Sequence, residues 1–77
     1  MNDPYLSPVR LRTDRYRDEG VEAGAIGVVV ENWGDGSYEV EFSDPRTGET
    51  IALLTLPAGE VEVMSRAGAA SAALGGP

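Results

Sequence analysis

The sequence contains no cysteine, no histidine and no lysine. Without cysteine there is no disulfide framework, no thiolate nucleophile and no Cys/His zinc site. Without histidine the commonest general base and the commonest transition-metal ligand are missing. Without lysine the serines have neither a Ser–Lys nor a Ser–His route to activation. Long hydrophobic runs are also missing: the nearly apolar stretch 23–30 is far short of the ~20 residues that span a bilayer. The first ten residues carry Asp3, Pro4 and Pro8 and no apolar run, so they do not read as a signal peptide. The expectation is a soluble, cytoplasmic, non-catalytic protein with no cofactor and no metal.

What is present is acid. Thirteen Asp and Glu stand against six basic residues, all Arg, for a net charge of −7 over 77 residues. A surface of this sign repels phosphate and disfavours nucleic acid. A chain this short builds one core, and here no disulfide or metal is available to reinforce it. The charge is uneven. Arg10, Arg12, Arg15 and Arg17 face only Asp3 and Asp14 in the first seventeen residues, whereas Asp18 opens a long acidic remainder.

Short strands and tight turns follow one another along the chain. Val9, Leu11 and Thr13 alternate with Arg10, Arg12 and Asp14, a half-buried strand by its period of two. Residues 15–24 are polar and read as a long surface loop. Residues 25–33 form a second strand, but Val28, Val29 and Val30 are consecutive, so its inward face is left open by the pattern. Gly34-Asp35-Gly36 signals a hairpin. Tyr38, Val40 and Phe42 then alternate with Glu39 and Glu41, with one face in a core and the other in water. A turn at Asp44-Pro45 and Thr47-Gly48 leads to a fourth strand over 50–56, with Ile51, Leu53, Leu54 and Leu56 to bury. Pro57-Ala58-Gly59 suits a single 3₁₀ turn, and Val61 and Val63 alternate with Glu60 and Glu62 in a short fifth strand. No segment has a helical apolar stripe. The fold class is all-β, a small five-stranded barrel over 1–64, because closure removes sheet edges. Residues 65–77, with five Ala, three Gly and Leu74 alone to bury, read as a disordered tail.

Taken in order, these elements resemble an SH3-like barrel. The blocks Gly24-Ala25-Ile26-Gly27-Val28-Val29-Val30-Glu31, Asp35-Gly36-Ser37-Tyr38-Glu39-Val40-Glu41-Phe42 and Thr50-Ile51-Ala52-Leu53-Leu54-Thr55-Leu56 resemble, more narrowly, the small bacterial family called domain of unknown function 4926. The resemblance covers Val9 to Met64. It implies an SH3-like fold and no established activity. Similar barrels dock on larger proteins, an analogy of fold alone.

Candidate chemistry is sparse. Gly24-x-x-Gly27 lacks the third glycine of a dinucleotide loop and precedes a strand, so its glycines read as shaping the turn. Asp18, Glu19 and Glu22 lack the ligand spacing of a calcium loop and read as solvated charge. Glu39 and Glu41 share a strand face, where they read as solubilising charges or as partners for Arg. Arg10 and Arg12 are expected beside Glu60 and Glu62 if the first and last strands pair, in exposed ion pairs worth ~0.2–1 kcal/mol each. Trp33 at the hairpin end reads first as a cap on the barrel end; if exposed, it and Tyr16 in the long loop are candidate anchors, because Trp and Tyr dominate binding hot spots.

The reading is a protein-interaction module. Its acidic face, from Glu39, Glu41, Asp18, Glu19 and Glu22, would meet a basic protein, with Trp33 and Tyr16 as anchors. An antitoxin or immunity-type partner of a basic toxin, encoded by a neighbouring gene, is its specific form. Nucleic-acid binding through Arg10 to Arg17, and a homo-oligomer joined through an exposed strand edge, are the alternatives.

Overall fold

Alternation of apolar and acidic side chains separates the two faces of the sheet. In a computed structural model, which describes residues 4–64, the strands are β1 (Pro8–Leu11), β2 (Ile26–Asn32), β3 (Ser37–Ser43), β4 (Thr50–Pro57) and β5 (Val61–Val63). Single 3₁₀ turns occupy Arg17–Glu19 and Ala58–Glu60. The expected tail over 65–77 lies outside the described residues.

The strands form one antiparallel sheet in the order β4-β3-β2-β1-β5. The expectation of a barrel closed by its own ladder is met only in part: the hydrogen-bonded order is open, with β4 and β5 at its two ends. The second 3₁₀ turn carries the chain from one edge to the other, and β5, three residues long, pairs among the described residues with β1 alone.

Among the described residues, eight side chains make the core: Val9, Leu11, Val21, Val29, Val40, Phe42, Leu56 and Val61. They come from every strand and from the long loop. Val21 stands alone in a polar run, yet it is buried; the loop 15–24 is therefore anchored and not a free surface excursion. Tyr38, Ala52 and Leu54 pack half-buried against this cluster. The open question of the β2 face resolves as Gly27 and Val29 inward, Ile26 and Val28 outward. Val30 is the extra residue of a bulge, since Val29 faces Val40 while Glu31 already faces Glu39.

Two expectations are corrected by this packing. Ile51 and Leu53, read as residues to bury, are exposed: Ile51 is the unpaired residue of a second bulge, between the Phe42–Ala52 and Ser43–Thr50 pairs, and alternation from Ala52 onward turns Leu53 outward. Gly27 is not a turn glycine. A Cβ there would lie 2.7 Å from Val40 Cγ1, 2.8 Å from the Glu41 carbonyl oxygen and 2.9 Å from Phe42 Cδ1, so β2 and β3 need its bare backbone. Gly24 does serve the turn, at φ 91°.

Candidate functional site

The outer face of the sheet, away from the core, is where the acidic strand residues go. Its rows run across the strands by register: Pro8, Val28, Glu41 and Leu53 in one, Glu31, Glu39 and Thr55 in the next. Each β3 carboxylate is held by a threonine of β4. Thr50 Oγ1 donates to Glu41 Oε2 at 2.5 Å and Thr55 Oγ1 to Glu39 Oε1 at 2.9 Å.

Trp33 extends the face by one more row, because its N–H donates to the Ser37 carbonyl as the hairpin closes. The indole Nε1–H donates to Glu39 Oε1 at 3.3 Å, and the residue remains 55% exposed. Below it the hairpin is fixed by Asp35, whose Oδ1 accepts from the Ser37 amide at 3.1 Å and the Ser37 hydroxyl at 2.6 Å. Those two bonds hold the Asp35 carboxyl below its ordinary value of 3.8. The structure thus brings Trp33, Glu39 and Glu41 to one surface. Beside them stand Ile26, Val28 and Leu53, all exposed, which pattern reading missed; the uninterrupted Val28-Val29-Val30 run hid the outward member.

Tyr16 goes elsewhere. It packs half-buried against the core, and its hydroxyl donates to Glu60 Oε1 at 2.5 Å. That bond, then partial burial and the Glu60 charge, push the Tyr16 hydroxyl above its ordinary value of 10.0, with the Arg15 charge opposing. Arg15 Nη1 donates to the other Glu60 oxygen, and its guanidinium carbon stands 5.3 Å from the Tyr16 ring centre. This is the one ion pair among the described residues.

The expected pairing of Arg10 and Arg12 with Glu60 and Glu62 is corrected accordingly. β1 and β5 do pair, with Arg10 opposite Glu62, and the Arg12 amide donates to the Glu60 carbonyl at 2.8 Å. The Glu60 side chain, however, turns to the loop, where Arg15 and Tyr16 offer it two donors.

Asp18 and Glu19 lie in the first 3₁₀ turn and Glu22 just beyond it, all exposed. Gly20 and Val21, between them, line an apolar cleft of about 260 Å³ together with Ile26, Phe42, Pro45 and Ile51. No group of three or more Asp or Glu among the described residues is arranged to hold a metal ion, and no helix among them is long and apolar enough to cross a membrane.

No match was found among curated proteins or among solved structures. Residues 6–63, most of the chain and all five strands, match the family described as Domain of unknown function (DUF4926), and the chain belongs to that family.

Proposed function

We propose that the chain is a non-catalytic SH3-like barrel whose outer sheet face binds a basic protein. The barrel reading is supported by the strand order, in which β4 and β5 are joined by a 3₁₀ turn yet occupy opposite ends of the sheet. Glu39 and Glu41 supply the charge, Trp33 the apolar anchor, and the loop carboxylates Asp18, Glu19 and Glu22 add to the negative charge that attracts the partner. Acidic surfaces of this kind select and accelerate encounters with positive partners. An antitoxin or immunity-type role, with a basic toxin as partner, is the form we favour.

The observation that carries the reading is Trp33: a large aromatic, more than half exposed, tethered to a carboxylate on a face that also shows Ile26, Val28 and Leu53. Aromatic side chains next to charge make binding anchors. Tyr16 acts behind the surface, holding the loop through Glu60, and is not assigned as an anchor.

Trp33 is the sole tryptophan, so its fluorescence reports on this face directly. Titration with the basic product of a neighbouring gene should shift its emission maximum and lose amplitude as salt rises. Saturable binding with unchanged Trp33 emission would place the partner elsewhere.

A further inference from the structure

The free edge of β4 has a geometry of its own. Among the described residues only β3 is hydrogen-bonded to this strand. Ala58 N–H donates to the Gly36 carbonyl at 2.8 Å, which sets the phase of the ladder. With Leu56 opposite Tyr38 and Leu54 opposite Val40, antiparallel alternation turns the amide and carbonyl groups of Ala52, Leu54 and Leu56 toward β3. Those of Leu53 and Thr55 face outward. Gly20 lies against Ile51, so the loop covers one end of the edge and leaves Leu53 and Thr55 open.

Edges of this kind are normally guarded by charge, proline or shortness. The opposite edge obeys the rule: β5 has three residues and carries Glu62. β4 has eight residues, Thr-Ile-Ala-Leu-Leu-Thr-Leu-Pro, with its proline at the very end and no charge at all. Every other strand is charged, by Arg10, Glu31, Glu39 and Glu41, or Glu62.

We propose that β4 pairs with β4 of a second copy of this chain, antiparallel about a two-fold axis. Leu53 then faces Thr55 of the second copy, and Thr55 faces its Leu53. This register satisfies every outward N–H and C=O of both residues on both copies. It also covers Leu53, 55% exposed in the single chain, with the Thr55 side chain of the other copy.

Charge selects this occupant. A basic segment laid along β4 would find no carboxylate on the strand itself, whereas self-pairing sets no like charges opposite each other despite the net −7. The carboxylates of the neighbouring strand, Glu39 and Glu41, lie one strand back in each copy. Three strand spacings separate them from their counterparts, about 14 Å, beyond a screening length of about 8 Å at physiological salt. The contact is small, below about 1,200 Å², so the dimer is reversible. It uses the backbone edge of β4, shares the Leu53 and Thr55 side chains with the face that carries Trp33, and does not depend on the proposed basic partner.

Sedimentation equilibrium of the full chain, from about 10 μM to about 1 mM, tests the proposal. The average mass should climb from 8.1 kDa toward twice that value. Leu53→Lys and Thr55→Pro should each hold it at the single-chain mass while keeping the native far-ultraviolet spectrum, and Trp33→Ala should dimerise as the wild type does. In the wild type, amide exchange at Leu53 and Thr55 should slow as concentration rises, a readout that needs no variant. A wild-type mass that stays at 8.1 kDa throughout, or exchange at both amides that ignores concentration, overturns it. So does full dimerisation of the two folded variants.

Discussion

The hydroxyl of Tyr16 donates to Glu60 Oε1 at 2.5 Å, while Arg15 engages the second oxygen of the same carboxylate. One acid at the end of the second 3₁₀ turn therefore fastens the long loop to the junction of β4 and β5. That loop delivers Val21 to the core and carries Asp18, Glu19 and Glu22 on its outer side.

This relationship makes stability depend on alkaline pH. The Tyr16 hydroxyl is raised above 10.0 in the folded chain, so the folded state holds its proton more tightly than the unfolded state. The bond's contribution is complete below pH 10.0 and is lost as pH rises through the higher folded value. Tyr16→Phe should cost about 0.5–1 kcal/mol at neutral pH, reduced by solvent screening at a partly exposed site. Urea unfolding at about pH 8 and about pH 11.5 should show the difference between wild type and variant shrinking at the higher pH. An equal gap at both values would refute the assignment.

Asp35 gives the opposite sign. Its carboxyl is held below 3.8 by the Ser37 hydroxyl and amide, so its contribution to the hairpin is present above that value and fades as pH falls through the lower folded one. A carbon-13 NMR titration should find the Asp35 midpoint below 3.8, and Asp35→Ala should speed exchange of the Ser37 amide.

Gly27→Ala should destabilise the chain by about 1–3 kcal/mol, the range for overpacking a filled interior. Two of the three atoms that its Cβ would meet belong to side chains, but the Glu41 carbonyl oxygen is backbone and cannot yield without breaking the β2–β3 ladder. Thermal unfolding followed by circular dichroism measures the loss. Gly59→Ala, with no atom within 4 Å of the added methyl, is the matched control and should change little.

Phe42→Ala should remove about 3–5 kcal/mol. Phe42 is 2% exposed and is the largest buried side chain among the described residues. For a domain near the lower end of the usual stability of about 5–15 kcal/mol, that loss leaves little folded protein at 37 °C. Equilibrium urea unfolding at lower temperature supplies the number.

The five strands were legible because β3 alternates cleanly and the turns carry Gly, Asp and Pro where chain reversal needs them. The partnership of β1 with β5 was legible too. Side-chain destinations were harder to read. Three successive valines hide which face is inward, and only the bulge at Val30 resolves them. A lone Val21 in a polar loop has no period to betray its burial. Glu60 sits beside Arg12 along the backbone, yet its carboxylate turns to Arg15 and Tyr16, a choice made by donors distant in sequence. For the same reason Trp33 and Tyr16, similar candidates in one dimension, lie on a sheet face and against the core respectively.

The proposed partner of the face around Trp33 and Glu39 is a basic protein. Affinity isolation of the tagged chain from its native cells, beside a Trp33→Ala/Glu39→Gln/Glu41→Gln variant and at about 0.05 M and about 0.5 M salt, tests it most directly. One basic protein should be retained stoichiometrically by the wild type at low salt, released at high salt and absent from the folded variant. A wild-type chain that elutes alone, or with companions identical to those of the variant, would contradict it.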